Sequence, residues 1–156
     1  MILYEEWLQK AADAGLRVIE DVPFESGSKG LIYGNRIGLS NRLKTTAEKT
    51  CTLAEEVIHS KVNVGNILDQ RNVCSTKQEY VARKILRHEL ASLQSIVNLL
   101  KQGYRQSHEI AEKLEITEEF LHAAIDGYRK KYGLYVRVGN DTLLLEPTVA
   151  LLSQIQ

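Results

Sequence analysis

Between Lys44 and Lys61 the chain reads KTTAEKTCTLAEEVIHSK, with neither Gly nor Pro. A stretch of this kind has few options other than an α-helix. Thr45 followed three residues on by Glu48 fits a capping box, in which a hydroxyl and a carboxylate satisfy amides of the first turn. Leu53, Ala54, Val57 and Ile58 recur at helical spacing, so one side of the helix faces a core. Glu55 and His59 share a face, about 6 Å apart along the axis, and Glu56 lies beside that face. This is the layout of a zinc helix with two metal ligands at i and i+4 and a general-base glutamate at i+1, except that Glu55 stands where the first ligand is ordinarily His. The same spacing also suits ordinary polar residues on a half-exposed helix. Cys51 lies on the same stripe, but about 12 Å of helical rise separates it from His59, so the two cannot share an ion. Cys51 is expected to be a small buried apolar residue.

The 156 residues suit one domain or two small ones, and 44% hydrophobic residues build a core without disulfides. Twenty basic residues balance 20 acidic ones, so no global field draws the chain to nucleic acid or to a membrane. Cys51 and Cys74 show no zinc-ribbon or C-x-x-C spacing. No segment resembles a signal peptide or reaches membrane-spanning length. A cytoplasmic protein with no membrane partner is the expectation.

In chain order, Leu3, Trp7, Leu8, Ala11 and Ala12 form the stripe of a first helix that Gly15 caps. Leu16 to Val22 reads as extended, and ESGSKG (residues 25–30) as a flexible loop. Leu31 to Tyr33 and Arg36 to Ser40, joined by Gly34-Asn35, read as a hairpin. A small antiparallel sheet of about three strands is thus expected before the central helix. After His59 comes a polar connecting segment, then one long helix from Ser75 or Thr76 to about Lys101, closed by Gly103.

Glu79, near the start of that helix, has two readings. It is placed as a third ligand from a following helix, as in His₂Glu zinc sites, or as the carboxylate of a capping box with Thr76. His88 falls on roughly the opposite helix face from Glu79, and His108 and His122 read as surface residues.

From Gln106 to Ile125 the apolar positions Ile110, Ala111, Leu114, Ile116, Leu121 and Ile125 describe a short helix, a turn, and a second helix capped by Thr117. Leu134 to Val138 and Thr142 to Glu146 follow as a hairpin, giving a winged-helix-like tail. Glu118 and Glu119 in the first turn of its second helix, with Asp126 beyond, oppose docking on phosphates. DNA binding is therefore not expected, and the tail reads as a packing or partner-docking module.

Three segments, TTAEKTCTLAEEVIHSKVNVGNILDQ, KQEYVAR and EIAEKLEITEEFLHAAI, together resemble the ImmA/IrrE family of metallopeptidases, short proteins of phages and integrative elements. The resemblance spans most of the chain and implies an α+β, zincin-like peptidase domain over residues 1–102 and a helical, winged-helix-like part over 103–156. It implies Glu56 as general base and Glu55, His59 and Glu79 as ligands of zinc, or of manganese or another divalent metal. It further implies an endopeptidase that inactivates the element's helix-turn-helix repressor. The chain departs from the family at Glu55, in the first-histidine position, and at Val57-Ile58, where Leu-Gly is usual. Two anionic ligands acidify a bound water less than two imidazoles do, and oxygen donors discriminate less between zinc and manganese or iron. A slower enzyme, a more promiscuous metal site or a loss of turnover is the expected consequence, and a non-catalytic antirepressor that binds its repressor stoichiometrically is the alternative function.

Overall fold

The computed structural model describes residues 2–62 and 73–154. The chain is α+β and forms two compact units, Met1–Leu86 and Arg87–Gln156. The connecting segment expected after His59 falls, over residues 63–72, outside the described residues.

In the first unit, α1 (Leu3–Asp13) buries Trp7 and Ala11. It ends as Gly15 requires: at φ +78°, the Gly15 amide donates to Ala12 and the Leu16 amide to Ala11, both at 2.9 Å. Strands β1 (Arg17–Val22), β2 (Gly30–Tyr33) and β3 (Arg36–Ser40) make a sheet ordered β1-β3-β2. β2 and β3 are the expected antiparallel hairpin, turning at Gly34 with φ +60°. The expectation of a wholly antiparallel sheet is corrected, because β1 runs parallel to β3. Residues 23–29 carry the chain past the central position to the far edge, so the hairpin's return strand lies beside β1 and in its direction. Asp21, at φ +56°, sits in the register shift between Ile19 and Val22.

Helix α2 (Thr46–Val62) begins with the expected box: the Thr45 amide donates to Glu48 Oε1 at 3.2 Å and the Glu48 amide to Thr45 Oγ1 at 3.1 Å. Leu53, Ala54, Val57 and Ile58 are buried where α2 packs on α1, β2 and β3. The buried Thr50 hydroxyl donates to the Thr46 carbonyl at 2.8 Å, so its burial costs little. Tyr4 donates to Glu20, which also faces Lys49 at 3.9 Å, linking α1, β1 and α2. Cys51 is half-buried rather than fully buried.

The single long helix expected from Ser75 or Thr76 to Lys101 is two helices, α3 (Val73–Leu90) and α4 (Leu93–Lys101). Their apolar positions continue one stripe, which hides the break in the sequence. Ser92, with ψ 150°, leaves the helix and accepts the Ser95 amide at 3.2 Å, starting α4 afresh. α4 also packs on elements of the C-terminal part. The units accordingly divide within α3, between Leu86 and Arg87, whereas 102/103 is the boundary that the resemblance implies.

In the second unit, α5 (Ser107–Leu114) and α6 (Glu118–Tyr132) are joined through Glu115, at φ +62°. Thr117 caps α6 as expected, accepting the Phe120 amide at 3.0 Å. β4 (Tyr135–Val138) and β5 (Asp141–Leu144) form the expected hairpin. A third strand that was not expected, β6 (Ala150–Leu151), pairs with β5. Ile96, Leu100, Leu121, Leu143 and Leu145 are the large side chains buried most completely here. Gly127, inside α6, lies directly under the Arg87 guanidinium, where any Cβ would collide with it. No described helix is long and apolar enough to cross a membrane.

Tyr128 closes α3. Its hydroxyl donates to the Ala91 carbonyl, just past the helix end, at 2.8 Å and lies 3.3 Å from the Arg87 carbonyl, which already accepts the Ala91 amide at 2.9 Å. Burial pushes the phenol up to about 12, against the opposing pull of Arg87. With the folded-state pKa above the unfolded one, stability is complete below about pH 10 and falls as pH rises toward 12. Tyr128→Phe is therefore expected to cost about 1–2 kcal/mol at neutral pH. It should also flatten the alkaline loss, as read from urea midpoints between pH 8 and 11.

Candidate metal centre

Helix α2 turns its apolar stripe inward, which leaves Glu55 exposed and Glu56 and His59 half-buried along the stripe's border. α3 brings Glu79 to the same place. His59 Nε2 lies 3.3 Å from Glu79 Oε2, and the ligand atoms of Glu55, His59 and Glu79 all lie within 4.8 Å of one another. All three expected ligands are thus brought together. The capping-box reading of Glu79 does not survive, because α3 is already helical at Val73 and Thr76 is an interior residue.

The set fits a small dication. Oxygen and nitrogen ligands at about 2.1 Å around a tetrahedral ion stand about 3.4 Å apart. The His59–Glu79 pair is already at that spacing. The remaining separations, all within 4.8 Å, involve Glu55, whose side chain is exposed. Without a cation, carboxylates this close repel each other, which gives the site a reason to take one.

Glu56 occupies a different environment from its neighbour. Burial raises its carboxyl pKa; His59 draws it down, and the carboxylates of Glu55 and Glu79 push it up again. A carboxylate so placed holds a proton more readily than a free one does, which a group that shuttles protons needs. Its side chain packs against the start of β2, where a Cβ on Gly30 would stand 3.4 Å from Glu56 Cγ and 2.6 Å from Thr52 Cγ2.

Neither of those last two residues stands out in the sequence, where Gly30 reads as the end of a flexible loop. Gly30→Ala is expected to destabilise the fold by about 1–3 kcal/mol, because Thr52 is buried on α2 and cannot yield. Adding Thr52→Ser, which deletes the obstructing methyl, should recover much of that loss in urea denaturation.

Arg83 is the other residue that the sequence reading passed over. Its Nε lies 3.6 Å from Glu79 Oε1, leaving Oε2 toward His59. The i,i+4 spacing of Glu79 and Arg83 was the available signal. The pair is open to solvent, so it orients the carboxylate more than it stabilises the fold. Tyr33 and Tyr80 are 83% and 63% exposed. His88, His108 and His122 are exposed, the last two as expected, and His122 faces Glu118 at 3.7 Å. No family model, curated protein or solved structure matches the chain.

Proposed function

We propose that the chain is a metal-dependent endopeptidase of zincin-like build, with a winged-helix-like C-terminal part, that relieves repression of a phage or integrative element by cleaving its helix-turn-helix repressor. The observation that carries the chemistry is the convergence of Glu55, His59 and Glu79 beside a half-buried Glu56. The repressor as substrate comes from the sequence resemblance to the ImmA/IrrE family.

A divalent cation, zinc or manganese, held by Glu55, His59 and Glu79 would supply the Lewis acidity that peptide hydrolysis requires. Glu56 takes the proton from the attacking water and delivers it to the departing amine. Its burial suits both halves of that cycle, since the carboxyl is easily protonated yet remains next to the cationic site. Arg83 holds the far oxygen of Glu79 and keeps the near one turned toward His59.

The test is to incubate the metal-loaded protein with the helix-turn-helix repressor of its own element and to follow the repressor by mass spectrometry. A discrete cut supports the proposal. A repressor that stays intact at stoichiometric enzyme, with metal bound, overturns proteolysis. One observation favours a second reading, a non-catalytic antirepressor that binds the repressor directly: an exposed carboxylate, Glu55, replaces an imidazole in the ligand set.

A further inference from the structure

At the end of α6 the chain presents Lys130, Lys131, Tyr132, Gly133, Leu134 and Tyr135, every one exposed, and Arg137 is exposed two residues further on. Tyr132, Leu134 and Tyr135 are 41%, 64% and 61% exposed, much apolar surface for one reversal of the chain. The neighbouring Arg129 is fully engaged, bonded to the Leu145 carbonyl at 2.7 Å and to Asp126 at 3.0 Å, with Glu146 at 3.5 Å. Lys130, Lys131 and Arg137 have no carboxylate partner among the described residues; Lys131 lies instead over the Tyr132 ring, at 5.2 Å. Lysines in the last turn of a helix complement its dipole. That accounts for Lys130 and Lys131, but not for the exposed Tyr-Gly-Leu-Tyr or for Arg137.

The backbone supplies the second half. β4 is a terminal strand in the order β4-β5-β6, and no described strand pairs with its outer side. Its hairpin closes at Val138 and Asp141, and the Leu145 amide donates to the Leu134 carbonyl at 2.7 Å. Pairs alternate along an antiparallel ladder, so Leu134, Val136 and Val138 bond to β5, and the amides and carbonyls of Tyr135 and Arg137 point to the open edge. A bare edge invites pairing with a second copy, and cations on it oppose that by repelling their own kind. The same cations favour a strand of opposite charge.

We propose that the β4 edge is a docking site for an extended acidic segment of a partner protein, added as a strand. Its main chain pairs with Tyr135 and Arg137, its carboxylates meet Lys130, Lys131 and Arg137, and an apolar side chain on its other face rests on Leu134. A nucleic acid would use the cations and the tyrosines but has no alternating donors and acceptors to match the edge. The site belongs to the second unit and the proposal does not depend on the peptidase reading.

The probe is a fluorescein-labelled heptapeptide alternating Glu and Val, titrated with the full chain by anisotropy, beside its Lys–Val counterpart and a thymidine oligonucleotide. Binding of the Glu–Val peptide alone is expected. Reversing three charges (Lys130→Glu, Lys131→Glu, Arg137→Glu) should abolish it. Tyr135→Pro removes an amide that faces the open edge and takes no part in the ladder with β5. It should weaken binding about tenfold or more, while Tyr135→Val keeps most of it, with circular dichroism confirming that each variant is folded. No binding to wild type overturns the proposal. So does tighter binding of the oligonucleotide, or Tyr135→Pro binding as well as Tyr135→Val, which would leave only a charged surface.

Discussion

Glu56→Gln is expected to lower repressor cleavage by on the order of 10²- to 10⁴-fold, the usual contribution of a positioned general base. Binding of both metal and repressor should survive, because Glu56 is beside the ligand set and not part of it. The substitution keeps the shape that packs against Gly30 and removes a charge that burial disfavours. The metal-free variant should therefore unfold at a higher urea concentration than the metal-free wild type, an exchange of stability against activity that is common at catalytic sites. The same variant separates the two functional readings in cells. Loss of derepression with repressor binding intact identifies a peptidase. Retained derepression identifies an antirepressor that works by binding.

The second large effect is expected at Glu55. Glu55→His gives a two-histidine, one-carboxylate set and should raise zinc affinity about tenfold or more, equivalent to about 1.4 kcal/mol. Manganese should gain much less, because imidazole suits zinc better than carboxylate does while manganese favours oxygen donors. The preference of the site thus moves toward zinc, and competition titrations with a chromogenic chelator read it directly. With one fewer anionic ligand, hydrolysis should also become faster at neutral pH. Equal changes for the two metals would mean that Glu55 lies outside the coordination set.

Features carried by local periodicity were the legible ones. The capping box at Thr45 and Glu48, the buried stripe Leu53 to Ile58, and Thr117 as the cap of α6 each depend on residues within one or two turns. The candidate ligands on α2 were legible for the same reason, since i and i+4 lie on one face whatever surrounds the helix. Features decided at a distance were not legible. The break between α3 and α4 is completed by Tyr128, far along the chain, while the apolar stripe runs on through it. The parallel pairing of β1 with β3 depends on the path of residues 23–29, on which hydrophobic pattern is silent. β6 is two residues long, too short for any period to register. The closeness of Gly30 to Thr52 and Glu56 is a contact between a loop end and a helix side, and neither partner carries a local sign of it.

Everything functional rests on a cation being held by side chains from two helices. The most direct measurement is the metal content of the protein purified without chelator and reconstituted with zinc or manganese, compared with His59→Ala prepared identically. About one equivalent per chain in the wild type, and loss of nearly all of it in a folded His59→Ala, is the predicted result. Equal metal in the two proteins, or none in the wild type after reconstitution, would contradict the metal centre and the peptidase assignment with it.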